Sequence, residues 1–297
     1  MNVMKRFVLS LTLALAAVSL QAQLLWRVSG NGLEKESYIL GTMHNAPASM
    51  IDEIPGMQQA LAGCDVVIGE MDMNDLGLNA LNADIVSLVA KFEAPSDSTL
   101  DKLFSPEEYQ MIKQVFNEKC GDAVMPFTLM NFFKPAFTNL IITQFSILDS
   151  VGDVSQYIDM AVQLRAQEMG RPTMGLETLM EQMGFVFDIP IADQAKELLE
   201  TCQYIDFSEE MVSMLYEPYI NQDLARIEAL YFDSELGNDE KENDRLVLRR
   251  NLNWIEKLVK MMPEQSCLVC VGAAHLIGQQ GLLQLFRDRG YIVEPMK

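Results

Sequence analysis

Histidine is almost missing from this chain. There are two in 297 residues, His44 and His275, so any chemistry that needs an imidazole near neutral pH has only these to draw on. Basic side chains are scarce as well. Twenty-two Lys and Arg stand against 42 Asp and Glu, a formal charge of −20, which argues against nucleic acid and anionic membrane surfaces as partners. The acidic residues are spread along the chain and read as a solvated surface. Five cysteines, Cys64, Cys120, Cys202, Cys267 and Cys270, are too few and odd in number for a dense disulfide framework. Cys267-x-x-Cys270 has a redox spacing, yet it falls inside an apolar run rather than at a helix start, so both read as buried thiols. No HExxH is present, which excludes a thermolysin-type zinc helix. After the first twenty residues no apolar run approaches membrane-spanning length, and no stretch resembles a flexible interdomain linker.

The beginning of the chain has the marks of an export signal. Lys5 and Arg6 precede an apolar run from Phe7 to Leu20, and Gln21-Ala22-Gln23 offers cleavage after Ala22. No Cys stands at that junction, so a lipoprotein anchor is not expected. The sequence therefore predicts a signal peptide over 1–22, a single domain over 23–297, and a periplasmic or secreted protein without a stable membrane anchor.

Both histidines occur in the same setting. Ser37-Tyr38-Ile39-Leu40 runs into Gly41-Thr42-Met43-His44, and Cys267-Leu268-Val269-Cys270-Val271 runs into Gly272-Ala273-Ala274-His275. Each is a short strand-type run followed by Gly-x-x-His. With 17 glycines in the chain, coincidence is a poor account of the match. Glycine at a strand end allows a sharp turn or close approach, and open α/β folds bind ligands beyond the carboxyl ends of their strands. Asp65–Glu70 reads as a further strand ending in a carboxylate. Arg171–Thr178 reads as another, with Glu177 near its end. If these strands are parallel, His44, Glu70, Glu177 and His275 converge. Two imidazoles with carboxylates could hold a divalent ion or run general acid–base hydrolysis without one.

The remainder predicts an α/β fold: a central mixed sheet with strand–GxxH units, surrounded by many helices. Leu24–Val28 and Tyr38–Leu40 read as a strand and its return strand, with Asn31-Gly32 supplying a hairpin turn or a short loop. Ser105-Pro106-Glu107-Glu108 is a capping box that starts a helix. Phe127–Phe145 is an apolar helical stretch that Pro135 should interrupt, with Phe132 and Phe137 in an aromatic stripe that reads as core. A helix over Ser155–Met169 should stop at Gly170, and spacing leaves its acidic member Asp159 ambiguous. Asp239–Asn243 reads as a polar loop, Asp244–Met262 as a long amphipathic helix, Gly278–Arg289 as a helix, and Tyr291–Val293 as the last strand.

Taken together these residues resemble the TraB/GumN family, which includes the Tiki proteins, within a wider erythromycin-esterase-like and ChaN-like group. The resemblance is carried by Leu25-Trp26-x-Val28, Ser37-Tyr38-x-x-Gly41-Thr42-x-His44, Gly69-Glu70, Leu176-Glu177-Thr178 with Gln182, Arg250-Asn251-x-x-Trp254, Val271–His275 with Leu276 and Gly278, and Gly290-Tyr291-x-Val293. It implies a divalent-metal-dependent hydrolase, most closely a peptidase. Carried over by residue, His44 and His275 would ligate metal and Glu70 would be a ligand or general base. Glu177 would be a ligand or supporting carboxylate. Arg250 would bind substrate, stabilise an oxyanion or hold a glutamate in an ion pair. The implied cofactor is manganese or cobalt ahead of zinc, and the implied partner is a peptide or small-molecule substrate. Two further classes stay open: a metal-free His/Glu acid–base hydrolase, and a non-catalytic protein that sequesters a peptide, haem or metal.

Overall fold

The computed structural model describes residues 23–76, 87, 89–121, 125–151, 157–236 and 240–297. The expected signal peptide, and the first residues of the helix expected from Ser155, lie outside them. The chain divides into two compact units. One comprises Met1–Glu70, Gln156–Leu176 and Leu215–Lys297, the other Met71–Ser155 and Glu177–Met214.

The first unit is built on a six-stranded mixed sheet. Its strands are β1 (Leu25–Ser29), β2 (Ser37–Thr42), β3 (Val66–Gly69), β4 (Thr173–Gly175), β5 (Cys267–Gly272) and β6 (Ile292–Pro295). They lie in the order β4-β3-β5-β2-β1-β6. β2, β5, β3 and β4 run parallel to their neighbours in that series, while β1 is antiparallel to β2 and to β6. The mixed α/β architecture is the expected one. Central strands β3 and β5 are nearly continuous apolar runs, buried almost throughout, as strands covered on both faces must be. The β1–β2 turn forms where expected: Asn31 and Gly32 both take positive φ and Leu33 N–H closes onto the Gly30 carbonyl at 3.0 Å.

Several helices meet the sequence expectations in detail. Ser105 caps Pro106–Cys120 with a complete capping box. The Ile158–Glu168 helix ends at Gly170, φ 69°. There the Gly170 and Arg171 N–H groups return to Gln167 and Ala166 at 2.9 and 2.8 Å, the paired bonds of a Schellman end. Pro135 interrupts the apolar stretch, leaving separate helices Phe127–Met130 and Pro135–Val151. Of its stripe, Phe137 packs against Phe92 and Phe133 in the second unit's core, whereas Phe132 is exposed at 59%.

Two boundaries differ from the expectation. The polar loop placed at Asp239–Asn243 is helical over Glu240–Asn243 and runs into a π turn, Asp244–Leu248, before Arg249–Met261; Asp239 lies outside the described residues. Glu240, Lys241 and Glu242 are good helix formers, so polarity there marks an exposed helix. The helix expected from Gly278 begins only at Leu282. Gly278 takes φ 78°, and a side chain on Gly281 would meet the Ile277 carbonyl oxygen at 2.2 Å, so Gly278–Gly281 makes a turn instead.

Candidate functional site

Parallel pairing sets the site. Thr42 lies opposite Gly272, and Gly69 opposite Cys270, so β2, β5 and β3 end side by side. His44 follows β2 by two residues, Glu70 follows β3 directly, and His275 closes a short 3₁₀ turn, Ala273–His275, after β5. This edge is where open α/β sheets place their ligands.

Glu70 is bound on both carboxylate oxygens. Oε1 accepts from the Gly272 N–H at 2.9 Å and Oε2 from Arg250 Nη2 at 2.6 Å. Both side chains of this ion pair are deeply buried, at 10% and 12% exposure. Burial by itself would raise the Glu70 carboxyl, but the neighbouring His275, Arg250 and His44, with the Gly272 N–H, hold it well below the usual carboxylate range. Of the roles expected for Arg250, the ion pair with a glutamate is present. Arg250 also donates to the Leu246 carbonyl at 2.9 Å, a residue of the π turn, and lies 4.6 Å above the Trp254 ring. π turns in helices cluster at functional sites.

His275 is buried against Trp254, ring centroids 4.4 Å apart. Its Nδ1 stands 2.7 Å from Asn251 Oδ1. Asn251 Nδ2 donates to two carbonyls, those of His275 and Gln280, at 3.1 and 2.8 Å, which requires the amide nitrogen to face them and Oδ1 to face the ring. Nδ1 must therefore carry the proton, leaving a lone pair on Nε2. Burial, with the charges of Arg250 and His44, lowers the imidazole pKa to about 4 against the pull of Glu70, so the ring is neutral at physiological pH. Its Nε2 faces Glu70 Oε1 at 3.8 Å and Arg250 Nη1 at 3.4 Å.

His44 is the opposite case, with 76% of its side chain exposed. Nδ1 is 3.0 Å from Asp159 Oδ2, and the other Asp159 oxygen accepts from the Thr42 hydroxyl. The charge of Asp159, then its hydrogen bond, raises the imidazole pKa to about 9. The site also includes Tyr219, whose hydroxyl donates to the Gly41 carbonyl at 3.2 Å. Sequence reasoning left Asp159 unassigned and gave Asn251 no role of its own.

The expected residues divide. His44, Glu70, Arg250 and His275 belong to the first unit, and His44 is close enough for Glu70 and His275 to feel its charge. Glu177 is buried and lies in the second unit, two residues past β4. All five cysteines are free and buried; Cys267 and Cys270, three apart on one strand, point to opposite faces, and burial raises both thiols.

Among the described residues, no three His, Cys, Asp or Glu side chains are gathered as a ready metal cage. The donor types nonetheless fit a borderline divalent ion. Glu70 Oε1 and His275 Nε2 are two acceptors facing each other at 3.8 Å, each already taking one N–H, from Gly272 and from Arg250. Asn251 fixes the ring from behind at Nδ1, and Arg250 holds the far carboxylate oxygen Oε2, as outer partners fix metal ligands.

An α/β protein with imidazoles and a carboxylate at the ends of its parallel strands is thus defined, and its wider kinship agrees. The chain matches the TraB/PrgY/gumN family over residues 24–295 and belongs to that family. It is 22% identical over 257 residues to the uncharacterized protein YbaP of Shigella flexneri, covering 85% of this chain and 88% of that protein. It is also 22% identical over 254 residues to YbaP of Escherichia coli K12, covering 84% and 87%. No solved structure matches the chain.

Proposed function

We propose that this protein is an exported metal-dependent hydrolase of peptide bonds, with His44, Glu70 and His275 holding a divalent ion, manganese or cobalt ahead of zinc. The observation that supports this reading is the Glu70–His275 pair: an ionised carboxylate and a neutral imidazole with Oε1 and Nε2 3.8 Å apart, the carboxylate held by Gly272 on that same Oε1 and by Arg250 on Oε2, the ring by Asn251 at Nδ1. A bound divalent ion supplies carbonyl polarisation and a water of lowered pKa. The chain's own part is to keep the donors in the right state. Asn251 holds the proton on His275 Nδ1, and Arg250 with the Gly272 N–H keeps Glu70 ionised. Arg250, tied to Leu246 and His275 through Nη1 and to Glu70 through Nη2, is the fixed positive charge beside the pair and would favour negative charge growing on a substrate oxygen there. The charged and apolar pattern of residues 5–20 supports export.

One observation favours a second reading. His44, solvent-facing and backed by Asp159, has the arrangement of a histidine that moves protons without metal. The test is metal content of the purified protein beside a His44→Ala/His275→Ala double variant, with reconstitution by manganese, cobalt and zinc and a peptide-cleavage assay. Metal and chelator-sensitive cleavage in the parent alone are expected. Cleavage that survives chelation would move the assignment to the His44–Asp159 chemistry, and metal without turnover would make this a sequestering protein.

A further inference from the structure

We propose that Asp159 is a positioning residue for this centre, acting through His44 and never on substrate; its consequence for turnover rests on the hydrolase reading above. Asp159 stands in the first turn of the Ile158–Glu168 helix, where the helix N-terminal field favours a carboxylate. Both of its oxygens are committed to the segment that carries His44. One accepts from Thr42, the last residue of β2, and the other from His44 Nδ1 at 3.0 Å. Thr42 is 1% exposed, so one end of this bridge is anchored in the core and only the other reaches the imidazole.

The cost and gain do not balance as a stability device. An ion pair to a histidine with 76% of its side chain in solvent contributes little to folding, while the Asp159 side chain is itself only 26% exposed. What the bridge accomplishes is orientation. With an acceptor fixed at Nδ1, the ring keeps its proton there and turns Nε2 outward. Asn251 does the same for His275, from another part of the chain and with a neutral oxygen. Both Gly-x-x-His imidazoles are therefore backed at Nδ1, and Nε2 is the working atom of each.

Because the chain has two histidines, histidine-selective 15N NMR of the full metal-free protein reads this directly. The parent should show a hydrogen-bonded His44 Nδ1–H. Asp159→Ala should lose it while the His275 resonances stay in place, and Asp159→Asn, which keeps an acceptor, should restore part of it. If Asp159→Ala fails to fold, Asp159→Leu fills the space without an acceptor and makes the same comparison. Zinc affinity, titrated separately, should fall about 10–100-fold in the variant lacking the acceptor. An unchanged His44 pattern in a folded Asp159→Ala or Asp159→Leu chain would overturn the proposal. If the parent binds none of manganese, cobalt and zinc, the metal reading falls, yet the NMR comparison still decides the role of Asp159.

Discussion

The two Gly-x-x-His turns leave neighbouring parallel strands one residue out of step, with Thr42 rather than Gly41 opposite Gly272, and they put their imidazoles in opposite surroundings. His275 is 4% exposed, stacked on Trp254 and backed by a neutral amide. His44 keeps 76% of its side chain in solvent and is backed by a carboxylate. Burial drives the first towards the neutral form, and the Asp159 charge drives the second towards the cation. A repeated motif thus sets where a side chain leaves the sheet, while the elements packed against it set its charge. The neutral ring suits a ligand or a proton acceptor, and the charged ring suits a proton donor, or a ligand that must first release its proton.

The strongest way to disturb the buried side is to remove Arg250. Arg250→Ala removes the cation paired with the buried Glu70 carboxylate and should destabilise by about 3–5 kcal/mol, measured by denaturant unfolding. Replacing each histidine then sharpens the contrast. His275→Ala opens a cavity beside Trp254 and leaves Asn251 Oδ1 without its donor, an expected cost of about 2–4 kcal/mol. His44→Ala should cost under about 1 kcal/mol. Equal losses would mean that the two environments are more alike than the geometry shows.

Titration separates the turns by sign. In chelated protein, the depressed His275 pKa contributes stability that is present above about 6.5 and lost as pH falls through about 4, roughly 3 kcal/mol at most. The raised His44 pKa contributes stability that is present below about 6.5 and lost as pH rises through about 9. Solvent screening of so exposed a ring holds that to under about 1 kcal/mol. Unfolding midpoints followed from pH 4 to 9 should therefore slope on the acid side in the parent and flatten there in His275→Asn. A parent whose acid limb is already flat would contradict the buried, neutral ring.

Much of this centre was legible because its signals are local. Strand, glycine and histidine lie within nine residues of one another at each turn, and Glu70 ends an apolar run of four. Strand-end position was enough to group these residues once the strands proved parallel. Asp159 was not legible. It is 115 residues from His44 in sequence, and an acidic residue in a helix's first turn is common for reasons of dipole alone. Asn251 was visible only as a neighbour of Arg250, since an amide's role depends on which carbonyls surround it. The misplaced helix start at Gly278 has a similar cause. Periodicity registers the apolar residues of Leu282–Asp288, but the steric crowding of Gly281 by the Ile277 carbonyl exists only in three dimensions.

The smallest expected effects come from the motif glycines, and they too should be unequal. A Cβ on Gly41 would meet Leu276 Cδ2 at 3.1 Å and Ala273 Cα at 3.2 Å. Gly41 is thus the gap into which the second turn packs, and relief would require a backbone shift. Gly41→Ala should cost about 1–2 kcal/mol. Gly272 has φ −51° and ψ 139°, ordinary for any residue, and its added Cβ would meet only Glu70 Oε1 at 3.4 Å and His275 Cδ2 at 3.6 Å. Gly272→Ala should therefore change stability by under about 0.5 kcal/mol while pressing a methyl group against the two facing acceptors. Unfolding curves and zinc titrations on both variants separate the effects: Gly41→Ala should register mainly in stability and Gly272→Ala mainly in zinc affinity. The reverse ranking would mean that the first glycine serves the backbone turn alone, and that the two turns do not lean on each other.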